Sequence, residues 1–164
     1  MSNNVTLIAR TSPLQFETDI TTRSITADDI PALGELYFKA YDSGIAERSV
    51  EEARAEIAEA FEGKFGKLLL DASQVVLDEG AIVAGAFVVE RSPEEDTPEA
   101  PLLIELFTDR DHRRQGLAER LVLIASDRLF NSGYKSLAVS VNEENSAALA
   151  LYLSIDFSRW ENDN

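Results

Sequence analysis

The chain has 164 residues, of which 45% are apolar and 27% charged, enough to bury one sizeable core within the usual size of a single domain. Its 30 Asp and Glu against 15 Lys and Arg give a formal net charge of -15, which sets most of the surface against a nucleic-acid backbone. There is no cysteine and only one histidine, so thiolate chemistry is excluded and a Cys- or His-rich metal site is not expected.

Met1–Asp19 mixes polar and apolar residues, with a strand expected at Val5–Ala9, and is set apart as an N-terminal extension from a main domain over residues 20–164. No apolar run approaches the ~20 residues needed to span a bilayer, and Met1-Ser2-Asn3-Asn4 lacks the basic start of a secretory signal. A cytoplasmic protein without a membrane partner is expected. Ile20–Ile25 alternates as a strand, and Asp28 or Asp29 can cap a helix that starts near Pro31, with Leu33, Leu36, Tyr37 and Ala40 on its apolar face. Ser49 offers a second cap, followed by Ala53, Ile57, Ala60 and Phe61 at helical spacing until Gly63 and Gly66.

Three strands are expected next: Leu68–Leu77, interrupted by polar residues; Ala81–Glu90 after the turn Asp78-Glu79-Gly80; and Leu102–Thr108. Arg91–Pro101, rich in Pro and Glu, reads as a loop between the last two. A helix runs from Gly116 to about Phe130 and is punctuated by Asn131-Ser132-Gly133. Ser136–Val141 is a further strand, a helix follows Asn145, and a short strand lies near Phe157–Trp160. Helices interrupting a mainly antiparallel strand series predict an α/β fold with helices covering a mixed sheet.

The segment Arg113-Arg114-Gln115-Gly116-Leu117-Ala118 carries the strongest chemical signal. It joins an apolar strand to an amphipathic helix, whose first turn presents unpaired N–H groups and the positive end of the peptide dipoles to an anion. Gly116 lets a ligand approach the backbone closely. Arg110, His112, Arg113 and Arg114 add positive charge in an otherwise acidic protein. The turn is not a P-loop, since no Lys-Ser/Thr pair follows the glycine, nor a dinucleotide fingerprint, since two further glycines are missing.

Arg113, Gly116 and Ala118 fill the pattern Arg/Gln, two residues, Gly, one residue, Gly/Ala, and Asn145, Ala148, Leu151-Tyr152 and Asp156-Phe157 form a second set about thirty residues later. Together they resemble the two motifs of the GNAT N-acetyltransferase superfamily over roughly residues 22–160. The departure is Asp156, where the family usually has glycine. A left-handed turn there costs most residues roughly 1 kcal/mol, and Asp tolerates it better than a β-branched side chain.

The resemblance implies a sheet in which the Leu102–Thr108 and Ser136–Val141 strands run parallel and splay apart, with acetyl-CoA, or another acyl-CoA, as co-substrate in the cleft and no metal. Backbone of Leu106, Phe107 and Thr108 would pair with the pantetheine arm, and the amides of Arg114, Gln115, Gly116, Leu117, Ala118 and Glu119 would hold the pyrophosphate. The reaction implied is direct transfer of the acyl group to an amine of a small molecule or peptide. Tyr152 is the candidate acid for the leaving thiolate; the structural alternative is a half-buried core tyrosine. Glu105, an acid inside an apolar strand, is the candidate base, since apolar surroundings hold a carboxylate closer to its protonated form; an outward-facing or arginine-paired position is the alternative. Some relatives place the base five residues before the Asn of the second motif, where this chain has Ser140. Asn145 is expected as a helix cap, a CoA contact or both.

The family's seventh strand has little room after Trp160: it is missing, or it is replaced by the N-terminal strand or by a partner subunit, as in a homodimer. The loops Tyr41-Asp42-Ser43-Gly44-Ile45 and Arg91–Pro101 would choose the acceptor. A non-catalytic acyl-CoA sensor and a protein-interaction module on the same fold are the alternative functions, because a fold alone does not establish activity.

Overall fold

The computed structural model describes residues 4–15, 19–40 and 49–161. Among these, β1 (Asn4–Arg10), β2 (Thr21–Ser24), β3 (Gln74–Asp78), β4 (Ala81–Val89), β5 (Leu102–Thr108), β6 (Ser136–Asn142) and β7 (Ser158–Arg159) form one sheet in the order β2-β3-β4-β5-β6-β1-β7. Helices α1 (Ile30–Ala40) and α2 (Val50–Phe61) cover one face, and α3 (Leu117–Asn131) and α4 (Ser146–Ser154) the other. The α/β architecture with a mixed, mostly antiparallel sheet is therefore as expected: β5 and β6 are the one parallel pair among the described strands.

Two apolar clusters hold the layers. On the first face Leu33, Leu36, Tyr37 and Ile57 pack on Val75, Phe87 and Phe107; on the second Leu117, Leu121, Ala125 and Leu129 pack on Leu103, Val139 and Tyr152. The period-2 alternation of the strands supplies one residue set to each side. The two covering helices α1 and α2 approach so closely that a Cβ added at Gly34 would run into Arg54.

Several local expectations change. The start of α1 is capped through Thr26 rather than by Asp28 or by Asp29 alone. The Asp29 carboxylate reaches back to accept from the Thr26 N–H at 2.9 Å and is gripped by both Arg23 amino groups at 2.8 Å, and this pairing holds its carboxyl below the usual carboxylate range. Leu68–Leu77 is a strand only from Gln74 onward, because the preceding segment turns: Leu69 and Leu70 carbonyls accept from Ala72 and Ser73, and Leu68 alone bridges to Val89. Ser49 caps α2 as expected, accepting from the Glu52 N–H at 3.1 Å.

The N-terminal strand has a definite place. β1 lies between β6 and β7 and is antiparallel to both, so β7 pairs with β1 and not with β6. Of the alternatives raised for this edge of the sheet, the N-terminal strand is the one that fills the position beside β6. Thr11 continues the connection, its hydroxyl donating to the Tyr134 carbonyl at 2.6 Å.

Candidate active site

The site begins with the parting of two strands. β5 and β6 pair only at Leu102 with Ala138 and Leu103 with Val139, after which β5 continues to Thr108 beside β4 and β6 to Asn142 beside β1 without further pairing to each other. At the same level β5 carries a bulge. Phe87 pairs with Glu105 and Val88 with Leu103, leaving Ile104 as the extra residue. The bulge shifts the facing of everything beyond it: Leu103 and Leu106 belong to the α3/α4 side, whereas Ile104 and Phe107 belong to the α1/α2 side. Glu105, opposite Phe87, is thereby turned to the α1/α2 side.

On the α3/α4 side a cavity of about 460 Å³ lies against the open end of β5. Its base is Leu106, Phe107 and Thr108; one wall is Arg113, Arg114, Gly116, Leu117, Ala118 and Glu119; the other includes Asn145, Ala148, Leu151 and Tyr152. The two motifs, separated by about thirty residues in sequence, thus face each other across one space. Gln115 is exposed and lies outside this lining, and Glu105 lies on the other side of the sheet.

The turn into α3 has the geometry that an anion needs. Gly116 is the N-cap residue at φ 73°, and Arg114 is also left-handed at φ 67°. A Cβ at Gly116 would meet nothing within 4 Å, so the protein itself does not crowd this atom. The glycine is required by its backbone angle, and its open side faces outward, where a ligand can touch the first amides of a fifteen-residue helix. The acyl-CoA expected from the sequence therefore fits the donor set: bare helix-start amides for the pyrophosphate and an apolar strand edge for the pantetheine arm.

The neighbouring cations are committed in ways the sequence did not disclose. The Arg113 guanidinium donates to the carbonyl of Ala40, the last residue of α1. His112 sits between two carboxylates, its Nε2 2.9 Å from Asp78 and its Nδ1 2.8 Å from Asp109, and these two contacts raise its pKa above the ordinary imidazole value. The Asp109 contact is local and could have been read from the three-residue spacing; the Asp78 contact depends on the β3–β4 turn folding over it.

Tyr152 is 5% exposed, with its ring edge-on to Phe157 at 5.3 Å, and it lines the cavity. Asn145 caps α4, its Oδ1 accepting from Ala148 at 3.1 Å, and also lines the cavity. Asp156 is left-handed at φ 73°, the conformation for which glycine is usual.

A second cavity, of about 530 Å³, opens on the α1/α2 side. Glu105 and Ser140 face it from the two parting strands, with Glu56 from α2, Lys64 and Phe65 from the segment after α2, and Ser92, Pro93 and Glu94 from the β4–β5 loop. The loop Tyr41-Asp42-Ser43-Gly44-Ile45 lies outside the described residues. No group of three or more His, Cys, Asp or Glu suited to a metal occurs among the described residues, and none of their helices is long and apolar enough to cross a membrane.

Comparison with known proteins agrees with this fold. The chain superposes on a GCN5-related N-acetyltransferase from Sphaerobacter thermophilus with a TM-score of 0.70 and 17% identity, covering 96% of this chain and 48% of that one, so it spans about half of that protein's length. It is similar to the ribosomal-protein-S18-alanine N-acetyltransferase from Escherichia coli (TM-score 0.63, 24% identity, 87% and 79% covered). It is also similar to an aminoglycoside N-acetyltransferase in complex with CoA (TM-score 0.64, 14% identity, 92% and 95% covered). At these identities the likeness is one of fold. A search of curated proteins gave no match. The model of the acetyltransferase (GNAT) family matches residues 31–157, from the start of α1 to the end of the second motif, and the chain belongs to that family.

Proposed function

We propose that this protein is an acyl-CoA-dependent N-acyltransferase that moves an acetyl group from acetyl-CoA directly to an amine of a small molecule or peptide. The observation that carries the reading is the convergence of the Gly116 turn, the edge of β5 that β6 leaves open and Tyr152 on one cavity at the parting of β5 and β6. In this reading residues 20–164 carry the acyltransferase domain, the N-terminal extension contributes β1 to its sheet, and the protein works in the cytoplasm.

The pyrophosphate docks on the amides of Arg114 through Glu119, while Leu106, Phe107 and Thr108 offer free backbone groups to the pantetheine arm, as a neighbouring strand would. That geometry carries the thioester toward the gap between the strands. The acceptor enters from the opposite side, through the cavity that contains Glu105. The amine nitrogen attacks the thioester carbonyl carbon; a C–N bond forms and the C–S bond breaks. The amine proton passes to Glu105, directly or through one water, and the departing thiolate takes a proton from the Tyr152 phenol. Placing acid and base on opposite sides of the sheet suits a reaction whose two substrates arrive from opposite sides.

The named acceptors of the similar structures, a ribosomal protein alanine and aminoglycosides, support both acceptor classes. The test is release of free CoA thiol from acetyl-CoA in the presence of amines: aminoglycosides, diamines and short peptides with free N-termini. Acceptor-dependent thiol release, lost when Tyr152 is replaced by Phe, supports the enzyme. Tight acetyl-CoA binding with no release for any amine supports the acyl-CoA sensor instead.

A further inference from the structure

The last turn of α1 reaches both cavities. Ala40, the final residue of the helix, is buried and lines the cavity on the α3/α4 side. Its carbonyl is among the four at a helix end that have no partner within the helix, and the Arg113 guanidinium, 73 residues further along the chain, supplies one. One turn earlier Tyr37 lays its ring on Phe107 at a centroid distance of 5.4 Å. Its hydroxyl donates to Glu56, which lines the second cavity.

A guanidinium at the carboxyl end of a helix meets the negative end of the peptide dipoles as well as an open carbonyl, and its planar fork holds one geometry. Arg113 stands three residues before Gly116, with extended backbone at φ -70° and ψ 159°, and lines the same cavity as Ala40. A ligand that fixes the Gly116 turn also fixes the root of this side chain. The end of a helix is where local opening costs least, so a steadier Arg113 makes a steadier last turn of α1. The effect is reciprocal: whatever steadies α1 favours the ligand on the turn.

Building on the acyltransferase reading, we propose that Arg113 is a positioning residue that makes the last turn of α1, and through Tyr37 the Glu56 wall of the acceptor cavity, respond to acyl-CoA bound on the other side of the sheet. The backbone amides of the turn hold the pyrophosphate, and the guanidinium serves α1. The wall that meets the acceptor is thereby set by the co-substrate.

The experiment measures amide hydrogen exchange of the full chain and of Arg113→Met, with and without acetyl-CoA at a concentration that calorimetry shows to be saturating. Methionine keeps the length of the stem and removes every donor. In the wild type, acetyl-CoA is expected to slow exchange at the start of α3, at least about fivefold in the last turn of α1, and less in the Glu56 turn of α2. In Arg113→Met the slowing at α3 should persist while that at α1 and α2 vanishes. Loss of a cap alone would speed α1 equally with and without acetyl-CoA, so the difference between the two states is the readout. A wild-type response absent from α1 or α2, or an α1 response that survives in Arg113→Met, overturns the proposal. So does loss of acetyl-CoA binding by folded Arg113→Met, which would make the guanidinium a phosphate ligand. No acetyl-CoA binding by the wild type overturns the acyl-CoA reading and the proposal together. An intact α1 response in a protein that releases thiol with no amine removes the acyltransferase reading and leaves the link between Arg113 and α1 standing.

Discussion

The two cavities on either side of the parted strands are built by different means. The α3/α4 cavity is organised around backbone features, the Gly116 turn, the start of α3 and the edge of β5 that β6 leaves open, with Tyr152 and Asn145 from one helix opposite. The α1/α2 cavity is made of side chains from α2, the segment after it, the β4–β5 loop and both strands. Backbone geometry needs only a few compatible residues, so the first cavity can stay constant while almost everything around it changes. A cavity made of side chains changes with each substitution. Under the proposed function, that difference suits a shared co-substrate on one side and a chain-specific acceptor on the other.

Phe87 tests whether the two cavities depend on one core. It is fully buried, edge-on to Phe61 at 5.8 Å and 6.2 Å from Phe107, whose backbone floors the first cavity while its ring faces the second side of the sheet. Phe87→Ala is expected to lower unfolding free energy by about 3–5 kcal/mol, measured by urea denaturation. A cost below about 1 kcal/mol would mean that the two sides are not held together here.

Tyr152→Phe sharpens the comparison by touching the first cavity alone. It should reduce kcat by about a hundredfold, roughly 2.7 kcal/mol of barrier, with the acetyl-CoA Kd little changed. A kcat within twofold of wild type would assign Tyr152 to packing against Phe157.

A smaller effect is expected at the end of the second motif. Asp156 adopts φ 73° without being glycine, so Asp156→Gly should raise stability by about 0.5–1 kcal/mol, visible as a higher Tm. A lower Tm would show that the aspartate side chain contributes something its backbone angle does not reveal.

The smallest effect concerns His112, which ties the β3–β4 turn to the segment before the Gly116 turn. Its pKa is raised by Asp78 first and Asp109 second, so protonation is favoured in the folded state. Its contribution is then fully present below the unfolded value of about 6.5 and is lost as pH rises through the elevated folded value. The Tm difference between wild type and His112→Gln should accordingly be largest near pH 6 and shrink in mildly alkaline solution. A difference that grows with pH would reverse the sign and remove the ion-pair account.

The same contrast between backbone and side chains explains what the sequence made legible. β5 coincides with the apolar run Leu102–Thr108, α3 starts directly after Gly116, and Ser49 and Asn145 cap the helices they precede, because each depends on neighbours in the chain. The bulge at Ile104 was not legible, since an extra residue is defined only against β4, and with it went the facing of Glu105. Nor was the grip of Tyr37 on Glu56, nineteen residues away on another helix, or that of Arg113 on Ala40. The Leu68–Leu77 expectation held only from Gln74 for a local reason: Leu68, Leu69 and Leu70 are apolar as a strand would be, but the Leu69, Leu70 and Asp71 carbonyls serve a turn that delivers Gln74 to β3.

Calorimetric titration with acetyl-CoA, run on the wild type and on Gly116→Glu, tests the central claim most directly. The variant fills the open side of the turn with a negatively charged side chain at a backbone angle that favours glycine. The account predicts micromolar binding by the wild type and no detectable heat from the folded variant. Equal binding by both proteins, or no binding by the wild type, would contradict it.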